Sequence, residues 1–222
     1  MPITILQFGI SGLLISWENI ISSKTSRKIY HFNKVILKVF KNEIVDSVPT
    51  YCSLTLYFKQ STSLIKLKNQ LFNIYHTIDF STDINSHHWK IPVCYHPSLG
   101  IDLVSLSSTL KLSIDEIILL HSTPLYTVDF IGFLPGFPYL SGLDTQLHAP
   151  RLSSPRPLVK KGSVAIGGKQ TGIYANTSPA GWNIIGRTRF ELFNAKDINP
   201  CPISPMDTLQ FIPITLSEFN TA

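Results

Sequence analysis

Arg187, Gln170 and Thr171, together with the backbone N–H groups of Gly167 and Gly168, form a set suited to holding an anion. Arginine offers a planar fork of donors that matches carboxylate or phosphate. A glycine pair lets backbone come close to a ligand. His121 stands just before a strand that leads into the same region, and histidine is the side chain that moves protons near neutral pH. A second reading of His121 is a satisfied histidine at a helix C-terminus, where the dipole favours its charged form.

Most of these residues fall within 132–189, a stretch holding nine of the chain's 12 glycines and seven Lys and Arg against one acid, Asp144. It carries +6, while the whole chain has a formal net charge of +5. A local cationic field favours an anionic partner; the alternative is a set of β-turns with solvated lysines. At its start, Leu134-Pro135-Gly136-Phe137-Pro138-Tyr139-Leu140 has neither helical nor strand period. With Phe133, Phe137 and Tyr139 it reads as a rigid loop forming a pocket wall, or as an apolar plug between sheets. No GxGxxG at a strand–helix junction, GxxxxGK[ST] or GxSxG occurs, which argues against a self-contained ATPase or a serine hydrolase of the common kind.

These groups need a scaffold, and composition bounds it. The 222 residues are 44% apolar and 15% charged, a globular chain with room for one large or two small domains. The pI is about 9.1, yet no Lys/Arg run interleaved with aromatics appears, which argues against nucleic acid. Cys52, Cys94 and Cys201 fit neither a zinc spacing nor a disulfide framework, so a reducing cytoplasm is expected. The apolar N-terminus lacks a basic leader and is broken by Gly9 and Gly12. It reads as a strand hairpin, with no signal peptide or membrane helix.

Strands are expected over 3–8 and 13–17, then a helix from Ile29, Phe32, Val35, Ile36, Val39 and Phe40, with Ser22, Ser23 and Ser26 as candidate caps. Strands over 44–48 and 53–58 follow, then a helix through Leu64, Leu67, Leu71, Ile74 and Tyr75, entered at Ser61-Thr62-Ser63. A strand over 88–95 closes a β-α-β-β-α-β pattern, a ferredoxin-like layer. His87-His88 beside Asp83 invites a metal reading, but a loop-to-strand junction favours none, and no metal is expected. A helix over 102–110 precedes another opened by a capping box, Ser113 with Glu116. Beyond Pro155-Arg156-Pro157, short strands punctuated by Gly and Pro (163–166, 170–174, 181–188, 190–193, 208–212) argue for a closed or nearly closed β-barrel. Gly172 and Gly186 within them mark places where a ligand or another backbone approaches closely.

Several ordered segments carry a family resemblance. They are Gly132-Phe133-Leu134-Pro135-Gly136-Phe137-Pro138-Tyr139-Leu140, Gly142-Leu143-Asp144, Pro150-Arg151, Pro155-Arg156, Gly162-Ser163-Val164-Ala165-Ile166-Gly167-Gly168, Gln170-Thr171-Gly172-Ile173-Tyr174, Ser178-Pro179 and Gly186-Arg187-Thr188. Together they resemble the B-type component of the bacterial 5-oxoprolinase complex, a carboxyltransferase-type family that includes KipI-type sensor-kinase inhibitors. It is similar to the first-subunit region of allophanate hydrolase and to urea carboxylase.

The resemblance implies an α+β chain: a small ferredoxin-like α/β domain over 1–90, then a cyclophilin-like β-barrel over 91–222. It implies partnership with the C-type and A-type 5-oxoprolinase components in converting 5-oxoproline to L-glutamate at the expense of ATP, with Mg accompanying the nucleotide. The chain alone would be inactive and would carry no bound cofactor. A lactam is a poor electrophile, so phosphorylation of its amide oxygen would come first, and donors around the developing charge would assist. On this reading His121 and Arg187 are catalytic, and Phe133, Pro135, Gly136, Gly167, Gly168, Gln170 and Thr171 bind a small anionic substrate. A KipI-type regulator docking on a histidine kinase, and a scaffold subunit for another small-amide hydrolase, are the alternatives; a prolyl isomerase is a further one. The sequence departs from the family at His96-Pro97-Ser98-Leu99-Gly100, Lys160-Lys161, Ala175, Ala180 and Arg189.

Overall fold

The computed structural model describes residues 2–59, 63–82 and 84–221. It divides into two compact units, 1–85 and 86–222. The class is the expected one, mixed α and β, with a small sheet and its helices followed by a closed seven-stranded barrel.

In the first unit, β1 (Thr4–Phe8), β2 (Gly12–Ser16), β3 (Ile44–Pro49) and β4 (Ser53–Phe58) make an antiparallel sheet in the order β1-β2-β4-β3. The alternation in β4 sends Leu54, Leu56 and Phe58 inward. There they meet the apolar stripes of α1 (Ser23–Val39) and α2 (Leu64–Thr77), chiefly Ile29, Phe32, Ile36, Leu67 and Leu71. Of the three candidate caps Ser22 is the one used, accepting from Thr25 N–H at 3.2 Å. Val39 continues the stripe in sequence but is exposed, while Phe40 beyond it is buried. The expected entry residues Ser61 and Thr62, and Asp83 of the metal reading, lie outside the described residues.

The strand expected to close this layer does not belong to it. β5 (His88–Cys94) pairs in parallel with β13 (Thr208–Ile214) over seven residues and joins the second unit. A strand's apolar alternation does not name its partner; pairing here is with a strand some 120 residues away.

The barrel is completed by β6 (Tyr126–Ile131), β7 (Pro138–Ser141), β9 (Ser163–Gly167), β10 (Gln170–Ile173) and β12 (Asn183–Arg187), in the order β10-β7-β6-β13-β5-β12-β9. β8 (Arg156–Val159) and β11 (Ser178–Ala180) form a separate two-stranded sheet. Part of the stretch read as aperiodic is thus strand β7, which begins at a proline where no earlier ladder donor is lost. The expected strand over 190–193 is absent: that segment is irregular, and Leu192 anchors it in the barrel core. Helices α3 (Leu103–Leu110), α4 (Ile114–Ser122) and α5 (Leu216–Thr221) complete the unit. The Ser113/Glu116 capping box is present in both directions.

Inward residues of alternate positions fill the barrel, among them Val164 and Ile166 of β9, Ile173 of β10 and Phe211 of β13. The opposite face of β9 and β10 carries the small residues Ala165, Gly167 and Gly172, and a separate aromatic cluster lies on it. Among the described residues no helix is long and apolar enough to cross a membrane.

Candidate functional site

Small residues on that face leave room for flat rings. A Cβ at Gly167 would fall 2.4 Å from the Trp182 ring, and one at Gly172 would fall 2.8 Å from Phe137. The two rings therefore occupy the volume that side chains would take. Phe137 stands edge-on to Trp182 at 5.5 Å and to Tyr174 at 5.2 Å, and Tyr139 stands edge-on to Trp182 at 6.0 Å. Edge-to-face pairs at these separations are the favoured aromatic arrangement.

These four rings line a cavity of about 240 Å³. Phe133 reaches its rim, 59% exposed and with φ of 64°, a backbone region that bulky side chains rarely adopt. Its ring still meets Phe137 edge-on at 5.7 Å. Pro155 and Pro179 supply the wall opposite. Among the described residues the single charge lining the cavity is Arg151, whose guanidinium carbon lies 5.8 Å from the centre of the Trp182 ring. Burial raises the Tyr174 hydroxyl to about 12 and the Tyr139 hydroxyl above its ordinary value. Both are therefore donors at neutral pH and not bases. The pocket is apolar, stacking and cationic at one edge, a shape that suits a small flat molecule with one negative charge.

The expected anion set does not assemble. Thr171 is fully buried, and its Oγ1 lies 2.8 Å from Nε2 of His121, itself 0% exposed. Nδ1 of His121 meets the Tyr95 hydroxyl at 2.8 Å, and its ring stacks on Phe211 at 4.4 Å. Burial pushes the His121 pKa down to about 3. Both nitrogens are engaged inside the core, the ring does not line the aromatic cavity, and burial disfavours the charged form that the helix dipole would favour. Desolvation outweighs the dipole.

Gly168 forms the tight β9–β10 turn with φ of 66°, and its N–H is taken by the Ala149 carbonyl at 2.7 Å. Gln170 begins β10 with a buried amide nitrogen that has no hydrogen-bond partner among the described residues. Gly136 has φ of 81°, and a Cβ there would fall 2.7 Å from the Leu192 carbonyl and the Phe193 side chain, so it is a packed turn outside the aromatic cavity. Pro135 is exposed and does not line the aromatic cavity. Gly186 meets the Cys94 carbonyl, a backbone approach as expected. Arg187 faces elsewhere: its Nε donates to the Lys161 carbonyl at 3.0 Å, and it lines two cavities that contain neither Gln170 nor the glycine pair. Alternation turns Thr171 inward and away from Gln170, and the ladder sets Gln170 opposite Gly167 and Arg187 opposite Ser163, at the two ends of β9. Of the expected binding residues only Phe133 lines the aromatic cavity.

Trp182, Tyr174 and Arg151 were not legible as site residues. The available signal was Ala165, Gly167 and Gly172, small residues at alternate positions of two paired strands, which mark a face awaiting large rings. Among the described residues no group of three or more His, Cys, Asp or Glu is gathered as for a metal ion. His87 Nδ1 lies 4.0 Å from Asp207, and His88 Nδ1 lies 3.2 Å from the Thr208 hydroxyl.

Residues 3–203 match the family described as carboxyltransferase domain, subdomain C and D. The chain is 37% identical over 191 residues to a protein of Haemophilus influenzae named as the B component of 5-oxoprolinase, covering 86% of this chain and 88% of that one. It is 30% identical over 225 residues to the protein of the same name from Bacillus subtilis, covering 96% and 94%. In structure it is similar to TTHA0988, with a TM-score of 0.82 and 30% identity over 91% of this chain. It spans only 40% of that longer chain.

Proposed function

This chain belongs to the carboxyltransferase domain, subdomain C and D family, and on that premise we propose that it is the B-type component of a 5-oxoprolinase complex. With A- and C-type partners it opens 5-oxoproline to L-glutamate while ATP is consumed. The observation that supports this reading is the aromatic cavity with Arg151 at its edge. It is built from the segment 133–182 that carries the sequence resemblance.

The pyrrolidinone ring is small and flat, with apolar faces that suit Trp182, Phe137 and Tyr139. Its carboxylate would pair with the Arg151 guanidinium. The hydroxyls of Tyr139 and Tyr174, held protonated by burial, would donate to the lactam oxygen as charge gathers there. No Asp, Glu, His or Lys is among the described residues lining the cavity. Its residues can bind, orient and keep water from a ring, but they offer no base to activate water. That division of labour fits a subunit which holds substrate while partners supply phosphoryl transfer and hydrolysis.

The test is reconstitution with the A- and C-type components, following 5-oxoproline-dependent glutamate release with and without ATP. Turnover that needs all three chains and ATP, and a KM raised at least tenfold by Arg151→Ala, would bear the proposal out. A stable three-chain complex with no glutamate release would mean another amide substrate; no complex at all would end the subunit reading.

A further inference from the structure

Arg187 owes its place on the outer face of the barrel to a bulge in β12. The ladder pairs Ile184 with Ala165, Gly186 with Val164 and Arg187 with Ser163, which leaves Ile185 as the extra residue. In an unbroken strand Arg187 would share the face of Ile185, which lies in the barrel core. The bulge returns it to the face of Ile184 and Ser163. Its Nε donates to the Lys161 carbonyl at 3.0 Å, and no other hydrogen bond or ion pair engages its side chain among the described residues. The Ser163 hydroxyl opposite likewise makes no hydrogen bond to a described residue.

These two side chains border a cavity of about 140 Å³. Residues 98–101 make one wall of it. Gly100 lies flush against the bulge, where a Cβ would collide with the Ile185 carbonyl. Asp102 clamps the same point: its N–H donates to the Ile184 carbonyl at 2.9 Å, and its carboxylate accepts the Ile184 N–H at 2.7 Å. The wall is therefore set before a ligand arrives, which lowers the cost of binding. It is also where the sequence departs from its family, at His96-Pro97-Ser98-Leu99-Gly100. β8 supplies the other wall through Leu158 and Val159, followed by Lys160.

The lining states what would fit. Arg187 and Lys160 are cations and no acid is among the described lining residues, so an anion is favoured and an ammonium finds no partner. No aromatic ring is there to stack on a heterocycle; the apolar lining is aliphatic. Ile101 and Leu158 are 57% and 59% exposed, large side chains left open to water at the cavity. At about 140 Å³ the space is well short of the roughly 300 Å³ at which drug-sized sites begin.

We propose that this cavity binds a short aliphatic monocarboxylate without an amino group. The carboxylate lies on the Arg187 guanidinium and the Ser163 hydroxyl, and the chain lies against Ile101, Leu158 and Ile184. The cavity shares no residue with the aromatic pocket. Its test needs neither 5-oxoproline nor a partner chain, so the two readings fail separately.

The purified chain is titrated with isocaproate and followed by calorimetry and by amide shifts in two-dimensional NMR. Binding is expected at millimolar concentration, weaker as salt is raised, with shifts centred on the N–H groups of Ser163, Ile184 and Arg187. Three relatives of the probe dissect it: acetate lacks the chain, isohexyl alcohol lacks the charge, and L-leucine adds an ammonium to the same skeleton. Each should bind at least fivefold more weakly. Arg187→Gln should cost at least tenfold in isocaproate affinity. So should Ile101→Glu, which sets a carboxylate at the mouth on an exposed residue and leaves the fold intact. No binding up to tens of millimolar, or affinity unchanged in Ile101→Glu, would overturn the site. Equal binding of acetate or L-leucine would overturn the ligand class. Shifts at Trp182 and Tyr174 in place of those at Ser163 and Arg187 would put the ligand in the aromatic pocket and overturn its place here.

Discussion

Nε2 of His121 lies 2.8 Å from Oγ1 of Thr171, whose hydroxyl donates to the Ala165 carbonyl at 3.0 Å. Because the threonine proton is committed, His121 must donate through Nε2–H, and Nδ1 must accept from the Tyr95 hydroxyl at 2.8 Å. The imidazole is a neutral crosslink between α4, β10 and the end of β5. Nitrogen-detected NMR should find this single tautomer from pH 8 down to below 5.

The same burial makes His121 a determinant of acid stability. Its folded pKa, about 3, lies below the ordinary 6.5. The unfolded chain therefore binds a proton first as pH falls. The stabilisation is complete above about pH 6.5 and is lost progressively toward pH 3, on the order of 3 kcal/mol by pH 4. His121→Gln should lower stability at neutral pH and flatten the decline between pH 6.5 and 4. Urea unfolding of both proteins across that range measures it; parallel pH profiles would contradict the assignment.

Gly167 and Gly168 are adjacent, yet their substitutions should differ in kind. A Cβ at Gly167 would sit 2.4 Å from the Trp182 ring, so Gly167→Ala must displace that ring and collapse the aromatic pocket. Overpacking of this kind costs about 1–3 kcal/mol. At Gly168 nothing lies within 4 Å, but φ is 66°. Gly168→Ala should cost about 1 kcal/mol through backbone strain alone and leave the pocket intact. Tryptophan fluorescence separates the two: it should shift for Gly167→Ala only.

Asp102 is buried at the start of α3, where it accepts the Ile184 N–H at 2.7 Å and pairs with Arg156 of β8. This ties the two-stranded sheet, which adjoins the aromatic cavity through Pro155 and Ala180, to the barrel wall. Asp102→Ala removes both bonds and strands a partly buried guanidinium, at a cost of about 3 kcal/mol. Chemical denaturation should show that loss, and a change below 1 kcal/mol would mean Arg156 finds another partner.

Arg151→Lys tests the fork as distinct from the charge. Lysine keeps the cation but cannot grip a carboxylate in two places, so KM for the cyclic substrate should rise about tenfold with kcat little changed. Steady-state kinetics on the assembled complex gives the two constants separately.

The sequence by itself determined the local elements: the Ser22 cap, the Ser113/Glu116 box, the inward alternation of β4, and the concentration of glycine and cation in 132–189. These depend on near neighbours along the chain, where spacing alone carries the physics. It also determined the family, since ordered glycines and prolines record backbone geometry. Only the tertiary structure decided that β5 leaves the first layer for the barrel, because strand pairing is a contact between distant residues. It also parted Arg187 from Gln170, because the ladder sets Arg187 opposite Ser163 and Gln170 opposite Gly167, at the two ends of β9. His121 was withdrawn into the core, where desolvation outweighs the helix dipole. In its place Trp182, Tyr174 and Arg151, from three separate loops, were gathered at one cavity, Trp182 lying over Gly167, whose missing side chain made the room.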